Sequence, residues 1–374
     1  MPGVHLLALA KLVGIDAHPQ PLQQRLAHRH LVEGSSAPVI VAVDATNLLH
    51  DERGMGRYVR EVLRRLRSRV ELRLVTEHRD TESRRGYAYA LGYYDAPLVS
   101  ARKTGADVLW YPWNLTHFSP ALPYAVTVYD VAPLQFPNPS PWVRWREQRR
   151  LRRSVSGATA VITVSQFTRG EIVERLGVEA ARIRVAGGAP AAIFQPGEPE
   201  RLPEYLVEHP YLLYVGAVER RKNLSTLLAA QERIYPQTGV PLVCAGGAVP
   251  ERPGVHSMGY VEEPMLLSLY RGATALVMPS LYEGFGLPVL EAMACSTPVV
   301  ASRRTSLPEV GGDAALYVDQ PGDVEAWGEA LRRICTDANL AADLRARGPA
   351  RAAEFTWEQT TDVTLEALQA AAAS

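Results

Sequence analysis

A chain of 374 residues is too long for one hydrophobic core, since single cores stop growing near ~250–300 residues, so two domains are expected. Its composition, 47% hydrophobic and 21% charged, excludes a disordered chain, and no run approaches the ~18 apolar residues of a membrane span. The formal charge of zero joins a basic half to an acidic one: residues 1–195 carry 26 Lys and Arg against 17 Asp and Glu, and residues 196–374 carry 14 against 23.

Residues 1–37 hold a short helical pattern with several histidines and glutamines and no strand signal, and they read as an N-terminal appendage without chemistry. The start MPGVHLLALAK lacks the basic segment of a signal peptide, and three cysteines (Cys244, Cys295, Cys335) suit neither a disulfide framework nor a zinc clip. A reducing, cytoplasmic compartment is expected. From Val39 the apolar runs VIVAV, VELRLV, VLWY, YAVTVYD and AVITV alternate with amphipathic stretches such as Tyr58–Leu66, which is βαβ grammar. Residues 187–210 hold five prolines and three glycines and read as a linker. The same grammar then restarts with YLLYVG, PLVCAGG, ATALVMPS, TPVVAS and AALYV. The expected fold is α/β, with two Rossmann-like doubly wound domains facing across a cleft: 38–195, 196–354, and a closing helix over 355–374.

Open parallel sheets bind ligands beyond the carboxyl ends of their strands, so the strand-to-helix loops are the places to search. After the first strand, Asp51-Glu-Arg-Gly-Met-Gly-Arg57 opens a helix. Gly54 and Gly56 there allow positive φ and close backbone approach to an anion, or simply a tight turn. In Val218-Glu-Arg-Arg-Lys-Asn223 three cations crowd one strand end, including Arg221 and one of only three lysines, Lys222. Such a cluster is either a solvated surface or a metal-free neutraliser of a diphosphate. In Glu283-Gly-Phe-Gly-Leu-Pro-Val-Leu-Glu291, Gly284 and Gly286 precede a helix start that Pro288 suits, which builds an anion cradle. Glu291 lies amid Leu290, Ala292 and Met293, so its carboxylate needs a partner, and ribose or sugar hydroxyls would serve.

At this loop the chain strongly resembles retaining glycosyltransferase family 4, whose members adopt the GT-B fold. The likeness runs from about Val39 to Trp357 and is carried by SLYEGFGLPVLEAMACSTPVVASRRTSLPEV, YVGAVERRKNLSTLLAA and GMGRYVREVL. It implies that Glu291 holds the donor ribose and that Glu283, with the amides of Gly284, Phe285, Gly286 and Leu287, holds the donor sugar and its phosphate. Arg221 and Lys222 would bind the diphosphate, with Gly54 and Gly56 approaching it from the first domain. The VGxxExRKN form leans toward GDP-mannose.

Three positions depart from the family pattern. Tyr129 stands where a histidine near the transferred sugar is usual, followed by Asp130 as cleft carboxylate or loop cap. Ala217 replaces a phosphate-binding arginine of some relatives, and Ser296 replaces a glycine, which reads as a minor packing change. A last feature, residues 141–153, interleaves six arginines with Trp142 and Trp145. It reads as a surface helix packing one tryptophan onto the first domain, with an anionic bilayer surface as the competing partner through 142–153. No nucleic-acid module and no metal-binding set is found. His117, after a strand, is the one histidine at a cleft position, and a lone histidine reads as structural.

The expectation is a metal-independent retaining transferase without cofactor, moving a hexose from a nucleoside diphosphate to a glycan or lipid-linked acceptor, cytoplasmic or peripheral at the inner face of the membrane. The rivals are a non-catalytic nucleotide-sugar sensor and a 2-epimerase of the same fold.

Overall fold

The computed structural model describes residues 39–45, 47–48, 54–79, 86–91, 105–117, 120, 122–207, 209–250 and 252–374. The appendage over 1–37 and Asp51–Arg53 lie outside these. The chain forms two compact units that exchange at Gly187/Gly188; Trp357–Ser374 belongs to the first, and Ser165–Phe167 groups with the second.

The first unit is built on a seven-stranded sheet of order β3-β2-β1-β4-β5-β6-β7. Its strands are β1 (Ile40–Asp44), β2 (Glu71–Arg79), β3 (Gly86–Leu91), β4 (Val108–Tyr111), β5 (Tyr124–Val128), β6 (Ala160–Thr163) and β7 (Ile183–Val185). All pairs are parallel except β2 with β3. Every residue of β1, β4, β5 and β6 is buried, because helices cover both faces of a parallel sheet. The helices are α1 (Gly54–Leu66), α2 (Ala132–Gln135), α3 (Pro141–Ser156), α4 (Gln166–Leu176) and, from the chain's end, α11 (Trp357–Ala372). α11 buries Thr360, Thr361, Thr364, Ala367, Leu368 and Ala371. Its Trp357 ring meets Tyr58 of α1 edge-on at 5.7 Å, and Glu358 pairs with Arg65 at 2.8 Å, so the last helix completes the first unit's core.

The second sheet is wholly parallel, with order β10-β9-β8-β11-β12-β13. Its strands are β8 (Leu212–Val215), β9 (Leu242–Ala245), β10 (Val255–Gly259), β11 (Ala275–Met278), β12 (Val299–Ser302) and β13 (Leu316–Val318). Helices α5 (Leu224–Thr238), α6 (Glu263–Gly272), α7 (Leu287–Ala294), α8 (Leu307–Gly311), α9 (Val324–Thr336) and α10 (Ala338–Ala353) pack on it. One core cluster joins Leu227, Ile234, Val277, Trp327 and Leu331.

Two expectations change. Gly54 and Gly56 are the first and third residues of α1, and neither has positive φ, so the chain is already helical where a glycine loop was expected. Neither tryptophan of α3 packs inward: Trp142 is 60% and Trp145 53% exposed, with the guanidinium groups of Arg146 and Arg149 over their rings at 4.8 and 4.9 Å. α3 buries Leu151, Ser154 and Val155 instead, so its apolar contact lies toward its end.

Candidate active site

In the second sheet β8 and β11 are neighbours, and the chain leaves them in opposite directions, so their carboxyl ends form the switch-point crevice of a doubly wound sheet. The loop after β8 closes in a 3₁₀ turn, Arg220–Lys222, followed by Asn223 in the left-handed region (φ 54°). That strain is held in place by bonding. Asn223 Nδ2 donates to the carbonyls of Pro279 (3.1 Å) and Pro321 (2.6 Å), and its Oδ1 accepts from Thr226. The Leu281 N–H donates to the Arg221 carbonyl at 2.8 Å, which ties this loop to the one after β11.

The tie sets the charges. Lys222 Nζ lies 2.6 Å from Glu283 Oε1, which also accepts from Ser280 Oγ at 2.6 Å. Arg221 Nη1 is 3.5 Å from the other Glu283 oxygen, and its Nε donates to Glu219 at 2.7 Å. Burial alone would push the Glu283 carboxyl up, but Lys222 and Arg221 outweigh it and hold the group below the ordinary carboxylate value. Lys222 and Arg221 keep 12% and 22% of their side-chain surface and Glu283 keeps 8%, so the three groups form a largely buried cluster in which the cations retain the greater access.

The following helix, α7, starts from Gly286 at φ 118°, with a proline in its first turn and no side-chain cap. Its uncapped N-terminus carries partial positive charge and suits an anion. A Cβ at Gly286 would lie 3.0 Å from Leu307, and Ser306 Oγ reaches the carbonyls of Glu283 (2.9 Å) and Phe285 (2.7 Å), so the cradle backbone is fixed. Glu291, buried on α7, accepts from the hydroxyl of Tyr270 at the end of α6 (2.9 Å). The partner required by this carboxylate is thus present within the protein. Removing that hydroxyl leaves the buried carboxylate one donor fewer and should cost about 1–3 kcal/mol of stability, which a urea titration of Tyr270→Phe checks.

At its far end α7 closes in a Schellman motif, Thr297 N–H to Ala292 O (2.8 Å) and Ser296 N–H to Met293 O (3.0 Å). Ser296 takes φ 60° there, so the glycine-to-serine departure is a backbone matter costing about 1 kcal/mol rather than a packing change.

The remaining predicted residues lie in the first unit. The Tyr129 N–H donates to Asn114 Oδ1 (2.6 Å), and the Tyr129 ring meets Tyr58 edge-on at 5.2 Å. Asp130 Oδ1 accepts from the Ala132 N–H at 2.9 Å, the loop-cap arrangement. Gly56, buried on α1, lies two residues before Tyr58. The structure therefore brings Arg221, Lys222 and Glu283 into direct contact, sets Glu291 on the helix whose start follows Glu283, and holds Gly54, Gly56, Tyr129 and Asp130 in the other unit. Sequence reasoning missed Tyr270, Ser280 and the clamp by Asn223. Tyr270 gives no signal beyond a core aromatic on a helix, whereas Asn223 sits within the cationic motif itself.

Two family models match the chain: Glycosyl transferases group 1 over residues 209–337 and Glycosyltransferase Family 4 over residues 53–187. The O-antigen chain mannosyltransferase B of Escherichia coli is 38% identical over 263 residues, covering 64% of this chain and 68% of that protein. The chain belongs to glycosyltransferase family 4. This glycosyltransferase is also similar to the serotype-specific mannosyltransferase WbdA of Escherichia coli, 30% identical over 234 residues, 56% of this chain and 28% of that protein. In fold it is similar to sucrose-phosphate synthase from Thermosynechococcus elongatus, with a TM-score of 0.64 at 22% identity over 88% of this chain and 98% of that one. The fold class is GT-B.

Proposed function

We propose that this glycosyltransferase is a retaining, metal-independent mannosyltransferase that moves mannose from GDP-mannose to a glycan or lipid-linked acceptor. The observation that carries the reading is the pair Lys222 and Arg221, partly accessible and braced on buried Glu283 in the loop that leads into the uncapped start of α7. Two cations and a helix N-terminus supply the positive charge that offsets the negative charge a departing diphosphate develops, the task a divalent metal would otherwise perform. In the transfer the bond from the anomeric carbon to the phosphate oxygen breaks, and the acceptor oxygen bonds to that carbon. The hydroxyl proton passes to the departing phosphate. Mannose is favoured by the names of the two relatives, both mannosyltransferases.

The test is transfer of labelled sugar from GDP-mannose, UDP-glucose and UDP-GlcNAc to a panel of octyl glycosides, with and without EDTA. Mannose transfer that survives EDTA is expected. Loss in EDTA would remove metal independence, and nucleotide binding without transfer to any glycoside would favour the sensor reading.

The acceptor side is read as a membrane surface. Exposed Trp142 and Trp145 share α3 with six arginines, and Arg149, Arg152 and Arg153 line a groove beside Trp145. Each cation near an anionic bilayer contributes about 1 kcal/mol. Reversing the charge of Arg149, Arg152 and Arg153 should release the protein from phosphatidylglycerol vesicles in a sedimentation assay. Unchanged sedimentation would count against this surface.

A further inference from the structure

We infer that His117, held by the buried carboxylate of Asp44, is the hydrogen-bond acceptor that binds a hydroxyl of the acceptor sugar in the first unit. The inference rests on the reading of the chain as a sugar transferase. Asp44 is the last residue of β1 and is wholly buried, and His117 follows β4. β1 and β4 are neighbours from which the chain departs in opposite directions, to β2 on one side and β5 on the other. Their carboxyl ends are therefore the first sheet's own switch-point crevice, the place where such sheets hold a ligand.

Chemistry at this point is directional. His117 Nδ1 lies 2.5 Å from Asp44 Oδ2. An ionised aspartate only accepts, so a proton sits on Nδ1, and whenever the ring carries that proton alone Nε2 is left as an acceptor. Asn47 Nδ2 stands 3.5 Å from Nε2, the outer limit of a hydrogen bond, and a sugar hydroxyl arriving at about 2.8 Å outcompetes it. The imidazole keeps 17% of its surface while the carboxylate behind it keeps none, so only the ring meets an arriving ligand.

The ring is also fixed before any ligand arrives. Trp113 Nε1 donates to the Asp44 carbonyl at 2.7 Å, the Asn114 N–H to Thr127 O at 2.9 Å and the Thr116 N–H to Ser154 Oγ at 2.9 Å. These bonds span residues 113–116 and leave His117 little freedom, the preorganisation that orienting a bound sugar requires. The neighbouring strand end offers Tyr129, whose ring is engaged edge-on with Tyr58, so the imidazole of this crevice comes from β4 rather than β5.

His117→Asn is the informative variant, because its amide still donates to Asp44 while nothing replaces Nε2. It should lower kcat/KM for the octyl glycoside that the wild type uses by about 10–100-fold, through acceptor KM. Donor KM and acceptor-independent donor hydrolysis should stay within about twofold, which a merely structural role would not spare. An unchanged acceptor kcat/KM overturns the proposal. Nitrogen-15 NMR of the histidine rings gives a second reading that needs no turnover: His117 should be Nδ1-protonated, and its Nε2 signal should move when octyl α-mannoside is added. An Nε2-protonated ring, or no movement, overturns it. Absence of transfer by the wild type to every glycoside instead counts against the transferase reading, and the NMR titration still tests His117.

Discussion

Replacing Lys222 by alanine should lower turnover by about 10²–10³-fold, the range for removing one group that stabilises a developing oxyanion. The same change strips Glu283 of its nearest cation, and since Ser280 and Arg221 remain, the cost in stability is about 1–3 kcal/mol. Two effects of one substitution must be separated, and the pair itself supplies the control. In Lys222→Ala/Glu283→Gln no buried charge is left uncompensated, so stability should recover in a urea titration while turnover stays low. Recovery of both would mean that Lys222 serves the fold alone. The single change Glu283→Gln has a pH signature. Because the folded carboxyl lies below its ordinary value, its ionised form stabilises the protein above the unfolded pKa, and that contribution disappears as pH falls through the lowered folded value. The wild type should therefore lose its stability advantage over Glu283→Gln only in acid.

Gly246→Ala should cost about 2–4 kcal/mol, a fall in melting temperature of roughly 5–15 °C, with loss of activity below that temperature. Gly246 follows β9 at φ 110°, and a Cβ there would lie 2.8 Å from the Gly216 carbonyl oxygen and 3.1 Å from its nitrogen. Backbone cannot swing aside as a side chain can, so the loop from Gly216 to Asn223 must shift. That loop carries Arg221 and Lys222, and its Gly216 N–H is bonded to Ala245 O at 2.8 Å. A small change outside the charged cluster should thus be felt within it. Differential scanning calorimetry together with the transfer assay checks both parts, and an active variant of normal stability would show that the two loops are not in contact.

Most of the fold was legible because parallel strands buried on both faces leave continuous apolar runs, and β1, β4, β5, β6, β8, β9, β11 and β12 all do so. The elements not read are those for which that rule fails. β10, Val255-His-Ser-Met-Gly, is an edge strand with two exposed residues, and β7 has only three residues against a proline-rich segment. Gly54 and Gly56 suggested a loop because glycine is a poor helix former, yet α1 starts on them, and the deep burial of Tyr58, Val59, Val62 and Leu63 supplies what local propensity does not. The tryptophans of α3 show another limit, since spacing along a helix tells which residues share a face and not whether the face is covered.

Within the candidate site, Lys222 and Arg221 could be found as a cation cluster at a strand end, Glu283 as a carboxylate beside glycines and Glu291 as a carboxylate amid apolar residues. Tyr270 and Ser280 could not, because a tyrosine on a helix and a serine after a strand are ordinary until distances bring them to a buried carboxylate. The Asp44–His117 pair is separated by 73 residues, and only the adjacency of β1 and β4 reveals it.

Calorimetric titration of GDP-mannose, GDP and UDP-glucose into the wild type and Glu291→Gln tests the proposed nucleotide-sugar site of the second unit most directly. The prediction is one site for GDP and GDP-mannose in the wild type, weakened at least about tenfold in Glu291→Gln, whose amide answers the Tyr270 hydroxyl but accepts less strongly from a ribose. Binding of equal strength in the two proteins, or no binding of any nucleotide to the wild type, would contradict it.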